Sequence, residues 1–110
     1  MKTHNPILTL SMTAMTALKP CRLVGLTGDV CTAGAKAAGA SLFDADAGEQ
    51  LGVAALGVIL VEAGGPIPAG GEIESDAQGR AIVKTTGAGN GYALDAAQAA
   101  GEVIRVLRGI

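Results

Sequence analysis

Aromatic residues are almost absent from this sequence, which has one Phe, one Tyr and no Trp among 110 residues. Pockets for sugars and drug-like ligands usually recruit aromatic side chains, so a small ligand- or carbohydrate-binding β-module is only the second choice of function. Nucleic acids need basic surfaces and stacking platforms, but the formal net charge is −2 and no basic block is present. We therefore expect neither a nucleic acid nor an anionic membrane surface as a partner.

Catalytic and metal-binding residue types are equally scarce. The single histidine, His4, lies in a polar N-terminal segment where nothing would hold it in place for nucleophilic catalysis. Cys21 and Cys31 form no CxxC motif, so a redox or metal role is disfavoured. A disulfide between them stays possible, but a hairpin that paired them would waste the turn signal at residues 27–29, and we expect two reduced, buried thiols. The sequence predicts no enzyme, no cofactor and no metal.

Long hydrophobic runs are also missing. No segment is long enough to span a bilayer, and polar residues interrupt the apolar pattern near the N-terminus at Thr9, Ser11, Thr13 and Thr16. We expect a soluble protein made in a cytoplasm.

The apolar content that is present, 49% of the residues, comes mainly from Ala, Val, Leu and Ile. Large side chains contribute roughly 1.5–3 kcal/mol each on burial and alanine much less, so the core of this single domain must be thin. The 17 glycines add to the entropy cost of folding. Contact with other subunits or with a partner would supply the missing burial.

One unit occurs twice, at residues 39–49 and 91–102, as an apolar run, an Asp-Ala turn and a closing Gly-Glu. Each copy precedes another apolar run, which is typical of a β-hairpin. Further strands are predicted about every ten residues, and the four-residue run at 58–61 should be the most deeply buried. The predicted strands are 6–14, 22–26, 40–43, 50–56, 58–61, 72–75, 80–84 and 103–107, with a further short run at 30–32.

This spacing predicts an all-β fold, a small antiparallel β-barrel or sandwich with an extended N-terminal arm. Residues 1–18 form the arm and first strand, and residues 19–110 form the body of a single domain. At most one short helical turn is expected, at 94–100, because seven residues make a marginal helix. Residues 33–39 are a helical turn or an extended link, and 76–79 are a β-turn with glycine at its fourth position.

The remaining polar residues indicate no chemistry. Two acidic clusters lie on a turn and on a strand face, where solvation is more common than calcium binding. They consist of Asp44, Asp46 and Glu49, and of Glu72, Glu74 and Asp76. The glycine-rich loop at 87–91 lacks the Lys-Ser/Thr of a phosphate loop. A carrier-type domain would need a lysine at a hairpin tip, where neither Lys36 nor Lys84 lies.

Arginines are spread along the predicted strands, at Arg22, Arg80, Arg105 and Arg108. We expect most of them to be solvated, with one or two pairing with acidic groups of a neighbouring subunit.

The N-terminal arm is the candidate binding site. Its alternation places Leu8, Leu10, Met12 and Ala14 on one side of a half-buried strand. Such a strand either closes its own barrel as an ordinary first strand or adds to the sheet edge of another protein. The residues assigned to partner binding are Asn5, Pro6, Ile7, Leu8, Thr9 and Leu10.

The order of these segments resembles the bacteriophage capsid cement, or head-decoration, family of small β-rich proteins. The resemblance covers nearly the whole chain and is carried by residues 5–10, 22–28, 43–49, 63–71, 75–81 and 101–106. It implies a non-enzymatic virion protein that is made in the host bacterial cytoplasm and stabilises an expanded head from its outer surface. It also implies binding to the major capsid protein and self-association, commonly as a homotrimer.

Overall fold

Residues 5–109, which the computed structural model describes, form an all-β domain, as the sequence predicts. No helix is found among them. The helical turn expected at 94–100 is absent, because Ala97 instead forms an isolated antiparallel bridge with Ile67. The strands are β1 (Asn5–Thr13), β2 (Leu23–Gly25), β3 (Ala37–Ser41), β4 (Gln50–Glu62), β5 (Ile73–Ser75), β6 (Ala81–Val83), β7 (Tyr92–Ala93) and β8 (Val103–Arg108).

Six of the strands form one curled antiparallel sheet around the long strand β4. The path of the sheet is β2-β3-β4-β8-β7, and β1 pairs with β4 outside that path. Gly57 and Val58 pair with both β1 and β8, so these two strands must lie on opposite edges of β4. The remaining strands, β5 and β6, form a separate hairpin around the predicted turn, in which the Gly79 N–H donates to the Asp76 carbonyl.

Strand β4 corrects the prediction of two strands separated by Gly57. It runs without a break from Gln50 to Glu62, and Gly57 continues it with a φ of 95°. A Cβ at this position would lie 2.7 Å from the Asn5 carbonyl oxygen, so the close approach of β1 requires glycine. In the run 58–61, Ile59 and Val61 are fully buried, whereas Val58 and Leu60 are only half-buried.

Both copies of the repeated unit form hairpins, as predicted. In the first, β3 pairs with β4, and in the second, β7 pairs with β8. The predicted strand at 40–43 is shifted, since β3 covers residues 37–41 and Phe43 lies beyond its end, 67% exposed.

The Gly-Glu that closes each unit has a structural role. Gly48 and Gly101 have φ values of 90° and 97°, which L side chains rarely adopt. The following glutamates cap the turns, because the Glu49 carboxylate accepts from the Asp46 N–H at 2.7 Å and that of Glu102 accepts from the Gln98 N–H at 2.8 Å. The recurring sequence therefore encodes one turn geometry twice.

The duplication extends far beyond these turns. Segments that precede the two units make the same backbone bonds to them. The Ala14 N–H donates to the Glu49 carbonyl as that of Ala63 does to Glu102. The corresponding bridges are Leu18 with Ala45 and Ile67 with Ala97. The chain is thus built from two structurally equivalent halves. Strands β1, β2 and β3 of the first half correspond to the second part of β4, to β5 and to β7, in that order. The first part of β4 corresponds to β8.

Each half has its own core of equivalent residues. The smaller cluster contains Ala14, Leu18, Val24, Ala45, Leu51 and Val53. The corresponding residues of the larger cluster are Ala63, Ile67, Ile73, Ala97, Ile104 and Val106. The buried apolar residues are thus divided between two clusters.

The equivalence predicts the effect of substitutions at Cys21 and Gly70. Each donates its N–H to the facing strand, Cys21 to Ser41 and Gly70 to Ala93, and both have positive φ, 60° and 84°. Left-handed backbone costs a non-glycine residue about 1 kcal/mol. We expect Cys21→Gly to raise the free energy of unfolding by about that amount and Gly70→Ala to lower it by about as much.

Urea titration of both variants measures this difference. Gly65→Ala is the control, since a Cβ there also meets nothing within 4 Å but the backbone has no positive φ. A loss at Gly65 as large as that at Gly70 would contradict the explanation.

Candidate functional site

All six residues assigned to the arm lie on one strand, β1, and all are exposed. The prediction of a half-buried strand is right only at its C-terminal end. Met12 is partly buried against the smaller core and Ala14 is fully buried, whereas Leu8 and Leu10 remain 42% and 37% exposed. Residues 1–4, which include His4, lie outside the described part of the chain.

An irregularity in the pairing of β1 turns Ile7 outward. The register shifts between Pro6 and Leu8 and again between Leu8 and Thr9. Ile7 has no Cα partner on β4 and is 84% exposed. Proline is confined to strand edges and bulges because it cannot donate to a ladder, which fits Pro6 at this position. The result is a prominent apolar side chain near the N-terminal end of the strand.

One edge of β1 is unpaired. The strand is bonded to β4 on one side, and no strand within residues 5–109 pairs with the other side. Natural edge strands are usually blunted by charged side chains, especially lysine, but residues 5–13 carry none. A neutral edge with free backbone donors and acceptors is the type of surface to which another chain can add a strand.

Side-chain bonds hold the C-terminal half of β1 in register. The Ser11 hydroxyl donates to the Gln50 carboxamide at 3.2 Å, and the Gln50 amide donates to the Thr13 hydroxyl at 3.0 Å. The polar side of the strand is therefore fastened to β4, while the apolar residues 7, 8 and 10 remain available at the surface.

The sequence did not predict a groove that is lined by residues of β4, β7 and β8. Its apolar lining includes Leu56, Tyr92 and Leu107, and its charged lining includes Lys36, Glu72 and Arg108. The Lys36 ammonium donates to the Gly89 carbonyl at 2.7 Å, and the Arg108 guanidinium donates to the Ala37 carbonyl at 2.9 Å. The residues come from separate segments, so only the folded sheet brings them together.

Glu74 is buried, which corrects the prediction that the second acidic cluster is solvated. Its side chain is 6% exposed and accepts hydrogen bonds from the N–H groups of Thr85 and Gly87 and from the Thr85 hydroxyl. The Thr85 N–H, at 2.6 Å, is the main cause that lowers the pKa of this carboxyl group. Glu74 thus orders the glycine-rich bend that follows β6.

We expect Glu74→Gln to alter the pH dependence of stability. A lowered pKa in the folded state means that the carboxylate stabilises the fold above its unfolded-state pKa, and that this contribution is lost as the pH falls through the folded-state value. The variant should therefore be less stable than the parent at neutral pH, and the difference should shrink on acidification. Urea titrations between neutral and acidic pH measure it, with Asp44→Asn as the control for removing an exposed carboxylate. If the difference in stability between variant and parent does not change with pH, the lowered pKa of Glu74 is contradicted.

The arginines are less solvated than predicted, and three pair within the chain. Arg105 binds Asp95 through two guanidinium nitrogens at 3.0 Å each. Arg80 pairs with Asp76 at 3.1 Å and Arg22 with Glu62 at 3.3 Å. The two-pronged pair of Arg105 braces the second repeated unit, because Asp95 also accepts from the Arg105 backbone N–H.

Both cysteines are free, and Cys31 is buried as predicted. Cys21 is only partly buried, which corrects the prediction for that residue. Burial raises the pKa of each thiol, and beside Cys21 the charge of Glu62 acts in the same direction. An antiparallel bridge pairs Val24 with Val30 across the turn that follows β2. Cys31 therefore lies opposite Leu23 and not opposite Cys21.

Within residues 5–109, no group of three or more His, Cys, Asp or Glu side chains is placed to hold a metal ion. A helix long and apolar enough to cross a membrane is likewise not found in that part of the chain.

Comparison with known proteins gives matches of two kinds. The sequence profile described as "Phage cement protein" matches residues 1–108. The fold is similar to the crystal structure of the N base of head fiber gp8.5 in bacteriophage phi29, with a TM-score of 0.77 and 19% identity over 93% of each chain. No curated protein sequence matches. Because the profile covers nearly the whole sequence, this chain belongs to the phage cement protein family and is a structural protein associated with the phage capsid.

Proposed function

We propose that this protein is a non-enzymatic cement protein that binds the outer surface of the assembled, expanded phage head and stabilises it. It is made in the host bacterial cytoplasm and attaches to the major capsid protein as a homotrimer. The observation that carries the proposal is the neutral, unpaired edge of β1, which presents exposed Ile7 and Leu8 in a member of the phage cement protein family.

The arm supports attachment in two ways. Its free backbone groups can extend a sheet of the capsid protein, which gives affinity without any special side-chain chemistry. Ile7 and Leu8 add apolar area, and each fully buried aliphatic side chain contributes about 1.5–3 kcal/mol. Strand β1 therefore carries the binding surface, and the rest of the domain holds it in place.

The small cores fit a protein that is stabilised by its assembly. The chain divides its buried apolar residues between two clusters that share β4. Burial of additional surface against other subunits stabilises the folded state by mass action. Many copies on a symmetric shell also convert a modest individual contact into durable attachment.

Head binding by arm variants tests the proposal. We expect deletion of residues 2–10, and the double substitution Ile7→Glu with Leu8→Glu, to weaken binding to expanded heads by at least about a hundredfold, because two buried apolar contacts are lost. Co-sedimentation of the variants with heads measures binding, and unfolding curves check that the domain remains folded. Leu26→Glu is the matched control, since Leu26 is also an exposed apolar residue, at 68%, but lies outside the arm, in the turn that follows β2. Undiminished binding by the folded arm variants would overturn the proposal.

A further inference from the structure

We propose that the apolar face of β1 in one copy packs into the groove at Tyr92 and Leu107 of a second copy, repeating between chains a contact that the two halves make within one chain. This inference concerns self-association and does not depend on capsid binding. It rests on the internal duplication. Of each pair of equivalent surfaces in the two halves, one is buried within the chain and the other is exposed.

The first surface is the face of β1 that carries Leu10 and Met12. Leu10 pairs with Val53 and Met12 pairs with Leu51. In the second half of the chain, Ile59 pairs with Val106 and Val61 pairs with Ile104. Leu10 and Met12 are therefore the equivalents of Ile59 and Val61.

Burial differs sharply between the equivalent residues. Ile59 and Val61 are fully buried, whereas Leu10 is 37% exposed and Met12 is only partly buried. The larger cluster, which contains Ile59 and Val61, includes members that have no counterpart in the smaller one. Among them are Leu23, Ala40 and Ala54, all from the first half of the chain.

These three residues form a row across the sheet that covers the second half. Ala40 pairs with Leu23 on one side and with Ala54 on the other. The corresponding row in the second half has Tyr92 between Glu72 and Leu107. Leu23, Ala40 and Ala54 are completely buried, but Tyr92 is 37% exposed and the other two are half-buried.

The second row lies in the groove described above, which Glu72, Tyr92 and Leu107 all line. One chain thus exposes both the Leu10–Met12 face and the row of Glu72, Tyr92 and Leu107. The equivalents of these two surfaces belong to one core cluster within the chain. The two surfaces differ, so the contact is heterologous and joins copies head to tail. Repetition of such a contact closes into a ring where the rotation permits, which is how a trimer would form.

Capsid attachment and this contact use different parts of the arm. The groove takes the side chains of Leu10 and Met12, whereas the unpaired backbone edge and Ile7 are left for the capsid protein. Substitutions at residue 7 and at residue 92 therefore separate the two interactions.

Cross-linking between differently tagged chains tests the contact in solution. One chain carries Leu10→Cys, the other carries Tyr92→Cys, and both carry Cys21→Gly to remove the partly exposed thiol. We expect the mixed disulfide-linked dimer to form at least about tenfold faster than with Val83→Cys, because bound surfaces raise the local thiol concentration. Val83 is a matched control because it is 41% exposed but lies on β6.

Light scattering gives a second readout without engineered thiols. Tyr92→Glu should shift the parent oligomer towards monomer, whereas Ile7→Glu should leave its mass unchanged and lower only head binding. Equal cross-linking rates for the two pairs, or an unchanged mass for a folded Tyr92→Glu variant, would overturn the inference. Loss of head binding by Ile7→Glu with normal self-association would still support the proposed function separately.

Discussion

Replacing Gly39 by alanine is expected to destabilise the domain by more than about 3 kcal/mol, the upper range of ordinary overpacking in a core. A Cβ at residue 39 would lie 2.2 Å from the Ala54 carbonyl oxygen and 2.8 Å from a methyl carbon of Val53. Because the nearer obstacle is backbone, no rotamer change can relieve the clash. Strand β3 would have to move away from β4, which would disrupt the row that covers the larger core.

Thermal and urea unfolding of Gly39→Ala measure this loss. Gly65→Ala serves as the control, since its Cβ would meet no atom within 4 Å. A Gly39→Ala protein with the stability of the parent would show that β3 and β4 are not packed as closely as described.

Truncation of Ile59 is expected to cost about 2–5 kcal/mol, as is usual for a fully buried aliphatic side chain. The equivalent truncation, Leu10→Ala, should cost less than about 1 kcal/mol in the isolated domain, because that side chain keeps 37% of its surface exposed. The two costs differ because Ile59 is buried and Leu10 is exposed, since both residues hold the same place on equivalent strands.

Unfolding of dilute protein gives the two values, and repeating the titration at high protein concentration separates the effect of self-association. If Leu10 packs against a second copy, the cost of Leu10→Ala should rise with concentration while that of Ile59→Ala should not. Equal costs for the two variants in dilute protein would contradict the claim that Leu10 is uncovered in the single chain.

Local sequence signals predicted the hairpins and turns well. The Asp-Ala and Gly-Glu pattern marks both units because glycine with positive φ and a capping glutamate are needed at the same places. Alternation identified β1 as a strand. The same local reasoning broke β4 at Gly57, since a glycine that ends a strand and one that continues it beside a close neighbour look alike in a sequence.

The larger duplication was hidden by differences in exposure. Where the first half has Leu23 and Ala40, the second half has Glu72 and Tyr92, so the two rows share a position in the sheet but no residue type. The shared hydrogen bonds, bridges and core positions of the folded chain reveal the relationship. The burial of Glu74 and the pairs of Arg80 and Arg105 were missed although their partners are near in the sequence. Each contact depends on how the turn between the two residues folds, which the pattern of residue types did not show.

The functional prediction depended less on these details. Scarcity of aromatic, histidine and basic residues pointed away from ligands, catalysis and nucleic acid, and the family profile then placed the chain among phage cement proteins. What the sequence could not show is that β1 has a free edge and two separate apolar surfaces. Those features require the register of the sheet and the shift at Ile7.

A density map of the decorated phage head would show how β1 lies on the shell. We expect the unpaired edge of β1 to lie against the major capsid protein on the outer surface of the shell, with Ile7 covered by that protein. A map in which β1 faces solvent while another surface of the domain contacts the shell would contradict the proposed role of β1.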